Sequence, residues 1–411
     1  MNRTNLLLAL LAIIFSSVSC DSSKSASHEN QKEESMQQNG AIQLEDVWNS
    51  EGTINLSAIA ASIEYIPLKM TNDPLSVLPG SKKLIIEMTM DYFIIFDHQS
   101  SVRVFSANGE FICSIGSLGK GPGEYLVVGK ILVTNNENQL WIFDYRQKKM
   151  IRYDFSGRFI NEFKIDGKSS QATIDPDGDI HIVELEREMS IMDSSKIVVY
   201  SNDGKVKHSF SLYEDRRLGP GSFWGMVSHL RYVNGAVEHF EPPYDTVFRY
   251  ENGRWKAIWS LHPGSKRIPF EAYSERTFND VFHPYSFISN ILETPDHFFI
   301  DGVHKQRMKK ILVDKLTLSA QPCDFTTEKL EQVWRFQGLS NDLDGGIPFW
   351  PTAAYQNDYL ISMFDPLMLK SFEPAISDAS EFDQKNRAKL DELIESLDPE
   401  GNPIIMLVKL K

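Results

Sequence analysis

Cysteine is scarce in this chain, and basic residues are outnumbered by acidic ones. The 411 residues include three cysteines, 42 Lys and Arg, and 56 Asp and Glu, for a formal net charge of -14. Contacts to nucleic-acid phosphates need clustered Lys and Arg, whereas these residues are scattered here, so nucleic acid is excluded as a partner. Three cysteines form neither a disulfide framework nor the ligand spacing of a zinc site.

Catalytic and metal-binding signatures are also missing. The ten histidines show no His-Glu-x-x-His or other paired ligand spacing, so we expect no metal site and no cofactor. Ser222-Phe-Trp-Gly225 does not fit the Gly-x-Ser-x-Gly of a nucleophile elbow. Whether the chain is an enzyme stays open, and the absence of a catalytic constellation favours a non-catalytic role.

Long hydrophobic runs are limited to the first residues. Arg3 precedes ten apolar residues, Leu6 to Phe15, and small residues then lead to Cys20. Ten apolar residues are too few for a bilayer core that needs about 20, so residues 1–20 are a targeting segment. The small residues ending in Cys resemble a bacterial lipoprotein signal, which implies cleavage before Cys20 and lipidation of its sulfur. An ordinary secretory signal is the alternative.

Residues 21–45 are rich in Ser, Lys, Glu, Gln and Asn and nearly devoid of apolar side chains. Such a segment buries too little surface to offset its ordering entropy, so we interpret it as a flexible tether. Lipidation of Cys20 would leave Cys113 and Cys323, which either pair in an oxidising compartment or stay as two buried free thiols.

What the chain has in abundance is short strand-like runs separated by turn residues. Aromatic residues make up 11% of the sequence, which suits strands. Four turn glycines, Gly109, Gly157, Gly204 and Gly253, follow similar runs at steps of 47 to 49 residues. A period of this length with four strands per copy predicts the blades of a β-propeller. We therefore assign residues 46–411 to one all-β propeller domain.

The later part of the chain keeps the strand pattern less regularly. Phe270 to Leu292 has apolar residues at near-helical spacing and predicts an inserted helix, and Phe382 to Leu397 predicts a second, amphipathic one. Asn402 to Lys409 predicts a final strand. Because a propeller must hide its sheet edges, we expect this strand to pair with the early strand Ile63 to Leu68 and close the ring.

Three motifs together resemble a known family. They are Gly119 to Tyr125, Asn341 to Pro351 and Asn402-Pro403, and the chain is similar from about Asp46 to Lys411 to six-bladed β-propeller lipoproteins of gut Bacteroidetes, relatives of NHL-repeat propellers. The resemblance implies a six-bladed propeller, a lipid anchor and export to the cell envelope. The four-stranded blades and the short helical insertions are predicted from the repeat and the spacing of apolar residues. The resemblance implies no particular reaction, and binding or scaffolding follows only by analogy of fold.

The segment Asn341 to Pro351 is the first candidate ligand site. Asp342 and Asp344 stand beside two glycines and ahead of Trp350, with Tyr355 close behind. Carboxylates next to a stacking aromatic ring are typical of sugar or peptide sites. The alternative is an ordered loop between blades, with capping Asp residues and a core Trp.

Two further loops have a functional and a structural interpretation. Glu124 and Tyr125 either line the mouth of the channel or belong to a tight crossing between blades, for which the glycines before them are suited. Asp175 to Asp179 contains three carboxylates, but an Asp-Gly hairpin turn explains it better than a calcium loop.

The function hypothesis is a non-catalytic, lipid-anchored envelope protein whose propeller binds a glycan, a peptide or a partner protein. The protein would bind the membrane through a lipid on Cys20. We expect it on the outer membrane, where it faces either the periplasm or the cell surface. The alternatives are a lyase or hydrolase acting in the central channel and a structural assembly component.

Overall fold

The computed structural model describes residues 40–81, 84–97, 102–134, 139–165, 171–188, 191–211, 229–241, 245–269, 284–305, 307–323, 337–372 and 383–411. In the first half of the chain the strands are β1 (Ala41–Gln43), β2 (Ala60–Pro67), β3 (Ile85–Met88), β4 (Tyr92–Phe96), β5 (Val102–Ser106), β6 (Phe111–Ile115), β7 (Ser117–Leu118), β8 (Glu124–Tyr125), β9 (Lys130–Thr134), β10 (Gln139–Asp144), β11 (Lys149–Asp154), β12 (Phe159–Lys164), β13 (Ala172–Ile174), β14 (Ile180–Glu188), β15 (Ile191–Tyr200) and β16 (Val206–Ser211).

The second half of the chain continues the same pattern. Its strands are β17 (His229–Val233), β18 (Ala236–Glu241), β19 (Thr246–Glu251), β20 (Arg254–His262), β21 (Ser286–Glu293), β22 (His297–His304), β23 (Arg307–Asp314), β24 (Ser319–Pro322), β25 (Ala353–Tyr355), β26 (Tyr359–Phe364) and β27 (Ile404–Leu410). Two α-helices, α1 (Pro366–Ser371) and α2 (Gln384–Ser396), lie between β26 and β27. Short 3-10 turns cover Leu56–Ala58 and Pro74–Ser76.

The strands form a six-bladed β-propeller. Blades 1 to 5 are β3–β6, β9–β12, β13–β16, β17–β20 and β21–β24, each an antiparallel sheet in sequence order, and blade 6 has the order β2-β27-β26-β25. The first strand of each blade contacts the first strand of the next, from β3 through β9, β13, β17, β21 and β25 back to β3. These six strands surround the axis of the ring.

The middle strands are near-continuous apolar runs because each blade packs against two neighbours. Phe93–Phe96 of β4 and Leu140–Phe143 of β10 are buried along their whole length. The outer strand β12 is instead exposed at four of its six positions. The hydrophobic core therefore lies in the seams between blades, as expected for sheets packed face to face.

The ring is closed by the two ends of the folded unit. β2 pairs antiparallel with β27, from Ile63 opposite Val408 to Pro67 opposite Ile404. An N-terminal strand thus completes the blade that the C-terminal strands begin, and no unpaired edge remains between the first and last strands. The predicted closure is confirmed.

A further strand precedes this closure. β1 adds to blade 4 in parallel with β20, and Ile42 and Leu44 beside it are fully buried. Trp48 donates its indole N–H to the carbonyl of Pro263 at 2.7 Å. The folded unit therefore includes residues 40–45, which lie within the segment 21–45 predicted as a tether, while residues 1–39 lie outside the described residues.

The repeated turn glycines have positive φ and lie in the turn before the outer strand of a blade. A Cβ on Gly109 would lie 2.2 Å from a backbone oxygen of β2, and one on Gly157 would lie 2.9 Å from a backbone oxygen of β6. A Cβ on Gly204 would lie 2.5 Å from a ring carbon of β12. These three turns pack on the outer strand of the preceding blade, where a side chain has no room. A Cβ on Gly253 would meet nothing within 4 Å.

The two ends of the blades carry different connections. Short turns of two to five residues join strands one and two, and strands three and four, of a blade. They lie at one end of the blade, which we call the hairpin end. The crossovers from each blade to the next have seven to thirty residues and join the other end, which we call the crossover end. The segment with α1 and α2 also joins the crossover end.

One helix prediction is confirmed, and the described end of the other is a strand. α2 lies within Phe382 to Leu397, and its N-cap Asp383 accepts hydrogen bonds from two backbone N–H groups while Leu390 is buried. The segment Ser286 to Leu292, predicted as part of a helix, belongs to β21. A bulge between Ile288 and Asn290 shifts the strand alternation and produces the apparent helical spacing. Residues 270–283 of that prediction lie outside the described residues.

Cys113 is partly buried and Cys323 is buried, and both are free thiols in different seams. Of the helices in the described ranges, none has the length and apolar character needed to cross a membrane.

Candidate functional site

Asp342 and Asp344 lie in the crossover from blade 5 to blade 6, and both carboxylates bond within the protein. Asp342 accepts hydrogen bonds from the backbone N–H and the hydroxyl of Ser57, at 2.9 and 2.5 Å. Asp344 Oδ1 accepts from the Gly346 N–H at 2.8 Å and from the Asn341 amide at 2.7 Å. Only 2% of Asp344 is exposed, and this burial raises its pKa to about 6.

Trp350, at the end of the same crossover, packs between blades 5 and 6. Its indole N–H donates to Asp301 Oδ1 at 2.8 Å, and its ring meets Phe299 edge to face with centroids 5.5 Å apart. Lys310 bonds Asp301 at 2.7 Å and lies 5.2 Å from the Trp350 ring centroid. The ring is therefore enclosed, with 8% of the residue exposed.

Glu124 and Tyr125 belong to the crossover from blade 1 to blade 2. A Cβ on Gly119 would lie 2.0 Å from Glu124 Oε2, so the glycine makes room for this carboxylate, which accepts from the Gly121 N–H at 2.8 Å. Tyr125 is fully buried and donates its hydroxyl to the Ile115 carbonyl at 2.9 Å. Burial raises the pKa of Tyr125 to about 12. Both residues have the contacts of a tight crossing between blades.

Tyr355 lies apart from the other candidates. It ends β25 at the hairpin end, 7% exposed, and its hydroxyl accepts from the Gln356 amide at 3.0 Å. The structure thus brings Asp342, Asp344 and Trp350 into one crossover and leaves the remaining three residues elsewhere. That these six side chains contact a ligand stays a prediction, and their contacts in the described structure are internal ones.

The crossover end of blade 6 carries two helices and parts of two crossovers. We call it the blade 6 platform and define it as α1, α2 and the crossover residues 68–81 and 337–352. It presents Val77 and Leu367 to solvent, at 47% and 50% exposure. No sequence pattern marks these two residues, because a single apolar residue in a loop or short helix is common at protein surfaces.

Side-chain hydrogen bonds fix the parts of the platform to one another. The Asn402 amide bonds twice to residues 68–81, at 2.8 and 2.7 Å. Asp365, which precedes α1, accepts from the Ser81 N–H at 2.7 Å. Arg387 of α2 donates to the Gly345 carbonyl at 3.0 Å. Asp344 bonds within residues 337–352, and Asp342 ties the same crossover to Ser57, which lies outside the platform. The predicted site residues therefore order the platform from inside.

The Asp175 to Asp179 turn is tied together by its own carboxylates. Asp175 Oδ1 accepts from the backbone N–H groups of Asp177 and Asp179, at 3.1 and 2.9 Å, and Oδ2 lies 2.9 Å from His181 Nε2. These bonds are those of a capped hairpin turn. In the described ranges, no three or more His, Cys, Asp or Glu side chains are grouped to hold a metal ion.

Ionisable groups also lie on the inner strands. An ion pair between Lys130 of β9 and Glu87 of β3 joins blades 2 and 1. Burial lowers the pKa of His229, the first residue of β17, well below its usual value.

A buried pair of carboxyl groups joins blades 4 and 5. Glu238 and Glu293 are 2% and 4% exposed, and the two side chains are within hydrogen-bonding reach of each other. Arg249 Nε donates to Glu238 at 2.8 Å, and Lys315 pairs with Glu293. Burial and the neighbouring carboxylate raise the pKa of Glu238 above its usual range.

A row of aromatic side chains occupies the seam between blades 3 and 4. The ring of Tyr250 in β19 lies 5.5 Å from Phe210 of β16, 5.3 Å from Trp255 of β20 and 5.3 Å from His181 of β14, centroid to centroid. Phe210, Tyr250 and Trp255 are partly exposed. We call these four residues the aromatic cleft. Its sequence signal is weak, since aromatic residues in strands are most often core.

Comparison with known proteins places the chain among propellers. The model of DUF4934, a domain of unknown function, matches residues 40–409. A protein described as exported from Bacteroides fragilis has 20% identity and a TM-score of 0.67, covering 90% of this chain and 99% of that one. A member of the DUF4221 family from Bacteroides vulgatus has 10% identity and a TM-score of 0.43, covering 66% and 86%. No curated protein matches the sequence.

Proposed function

We propose that this chain, which belongs to the DUF4934 family of domains of unknown function, is a non-catalytic envelope lipoprotein whose propeller binds a ligand. The ligand is a glycan, a peptide or a partner protein. The observation that carries the proposal is the blade 6 platform, which is fixed internally by polar side chains yet exposes Val77 and Leu367. Loops held on a rigid scaffold are where binding residues concentrate.

The cellular location follows from the first residues of the chain. The basic residue, the short apolar run and Cys20 fit a lipoprotein signal, with the lipid on Cys20 as the membrane anchor. The similar Bacteroides fragilis protein is described as exported, which supports an envelope location. The residues between Cys20 and Gly40 then separate the propeller from the membrane.

A ligand screen with matched surface variants tests the binding proposal. The full-length protein in mild detergent is screened by thermal shift against glycans, peptides and divalent ions, and a ligand at about 100 times its dissociation constant stabilises the fold by about 2.7 kcal/mol. Leu367→Glu places a charge on the platform, and Leu316→Glu places the same charge on a hairpin-end turn where the residue is 92% exposed. We expect the shift to be lost in the first variant and kept in the second.

Two other results would count against the platform. An equal shift in both variants would place the ligand elsewhere on the propeller. Absence of any shift would redirect the search to protein partners captured from envelope extracts, again comparing the two leucine variants. Asp344 and Trp350 are poor probes for this purpose, because their side chains are buried and their removal would unpack the crossover.

Catalysis in the central channel is the second candidate function. The ionisable residues on the inner strands, Lys130, Glu87 and His229, are the observation that favours it. Any ligand found in the screen is therefore also incubated with the protein and examined for turnover by mass spectrometry. Conversion of the ligand that stops in a Glu87→Gln variant would replace the binding proposal by an enzymatic one.

A further inference from the structure

We propose that the aromatic cleft between blades 3 and 4 is a saccharide-binding site, in which Tyr250 and Trp255 pack against a sugar ring. This inference rests on the proposed ligand-binding function and adds to it a ligand class and a second location, away from the platform. Three features of the cleft carry it: the open seam, the exposed rings and two buried polar atoms without partners.

The seam between blades 3 and 4 lacks a contact that three other seams have. The turns at Gly109, Gly157 and Gly204 each pack on the outer strand of the preceding blade, whereas a Cβ on Gly253 would meet nothing within 4 Å. β16, the strand that this turn would cover, is exposed at every position except Phe210, which is partly buried. Among the described residues, the outer part of this seam is therefore open between β16 and β20.

The aromatic rings stand in this opening. Tyr250, Trp255 and Phe210 are each partly exposed, and they belong to three different strands of two blades. The described aliphatic core behind them is small, with Val183 and Leu230 among its four buried members. Rigid aromatic faces beside a shallow core give a surface on which the apolar face of a sugar ring can pack.

Two polar atoms beside these rings have no hydrogen-bond partner among the described residues. His181 is fully buried, and its Nε2 lies 2.9 Å from the Asp175 carboxylate. A neutral imidazole in this position carries its proton on Nε2 and presents Nδ1 as an acceptor. This Nδ1 has no donor, and the buried indole N–H of Trp255 has no acceptor. Buried polar groups in proteins are nearly always paired, so the two atoms indicate a missing partner.

The chemistry of the two atoms selects the ligand class. In the neutral imidazole His181 Nδ1 needs a donor, and the Trp255 N–H can only donate. A cation supplies no acceptor for the indole, and an unprotonated anion supplies no donor for the imidazole. A hydroxyl group is both donor and acceptor, so a sugar, which carries several hydroxyls, offers a partner of each kind while its ring covers Tyr250, which lies next to both side chains.

The test uses simple sugars and matched tryptophan variants. The full-length protein in mild detergent is titrated with glucose, galactose, mannose, xylose and N-acetylglucosamine, and thermal shift and tryptophan fluorescence are measured. Sorbitol at the same concentration controls for general osmolyte stabilisation, and choline serves as the cation probe. Trp255→Phe keeps a ring and removes the N–H, whereas Trp259→Phe on the same strand alters the seam between blades 4 and 5, where Trp259 meets Phe298.

We expect at least one sugar to raise the melting temperature beyond the effect of sorbitol. Loss of one buried hydrogen bond in Trp255→Phe should weaken its binding about tenfold, and Trp259→Phe should leave binding unchanged. Equal binding by all three proteins would overturn the assignment, as would a response to choline without a response to any sugar. No sugar effect, together with a crystal structure showing a single water bonded to both atoms, would mean that water alone is the partner.

The same variants separate this inference from the proposed function. A ligand lost in Leu367→Glu but retained in Trp255→Phe would uphold binding at the platform and overturn the saccharide site. A sugar lost in Trp255→Phe but retained in Leu367→Glu would uphold the saccharide site and remove the platform as its location.

Discussion

Replacing Asp344 by Asn distinguishes a carboxylate kept for ligand binding from one that orders the crossover. The folded protein buries this carboxyl, and Oδ1 accepts from Gly346 and Asn341. An amide oxygen accepts the same bonds and carries no charge to desolvate. If the role of Asp344 is structural, the Asp344→Asn variant should fold at least as well as the wild type at neutral pH.

The size and sign of the effect follow from the pKa. Burial raises the pKa of Asp344 from 3.8 to about 6, so the folded protein retains a proton that the unfolded chain has released. The stability contributed by this group is fully present below the unfolded pKa and is lost as the pH rises through the folded pKa. A shift of about 2 pKa units corresponds to about 3 kcal/mol. The Asp344→Asn variant has no ionisable group at this position, so its stability should not fall in this way as the pH rises.

The assay is urea unfolding of both proteins at several pH values. We expect similar free energies of unfolding near pH 4, and an advantage for Asp344→Asn that grows to about 3 kcal/mol by about pH 7. An Asp344→Ala control removes the acceptor as well and should be less stable than Asp344→Asn at every pH, because two buried donors lose their partner. Parallel pH profiles for wild type and Asp344→Asn would refute the reasoning.

Three other predictions concern the turns, the first strand and the acid pair. Gly109→Ala and Gly253→Ala both place a side chain at a positive φ, which costs about 1–2 kcal/mol. Only Gly109→Ala also brings a Cβ to 2.2 Å from a backbone oxygen, so it should lose clearly more stability than Gly253→Ala in urea unfolding. Equal losses would contradict this packing. A protein that begins at residue 46 lacks β1 and its buried apolar side chains and should melt at a lower temperature than one beginning at residue 40; identical melting would show that β1 contributes nothing. Because burial and Glu293 raise the pKa of Glu238, wild-type stability should fall as the pH rises from acid through the alkaline range. Glu238→Gln should flatten this profile in pH-dependent melting; an unchanged slope would show that the pKa of Glu238 is not raised.

The propeller could be predicted because its signals are local and repeated. Gly109, Gly157 and Gly204 each adopt a positive φ in a tight turn, which is a conformation that glycine adopts readily. Their even spacing set the blade length, and the need to hide sheet edges indicated that the terminal strands pair. The error over residues 286–292 has an equally local cause, since one bulge places Ile288 and Ile291, three residues apart, on the same face of the strand and so imitates the spacing of a helix.

The candidate site could be only partly predicted, because its contacts join distant parts of the chain. Residues 341–351 were correctly identified as a polar and aromatic loop. That Asp342 would bond Ser57, 285 positions away, follows from the closure of the ring and not from any nearby residue. In the same way, the carboxylate that binds the Trp350 indole belongs to Asp301 on another blade.

The missing contact at Gly253 cannot be predicted from the sequence repeat. This glycine follows the spacing of the other turn glycines and shares their positive φ, yet it lies in a two-residue turn, and a Cβ there would meet nothing within 4 Å. If this open seam were only a packing defect, apolar side chains would fill it most favourably, since a buried polar atom without a partner destabilises the fold by about 1–3 kcal/mol. The seam instead contains a fully buried His181 and the indole N–H of Trp255, both lacking partners among the described residues. Because the open seam keeps these unpartnered polar atoms, it is more consistent with a binding site than with a packing defect.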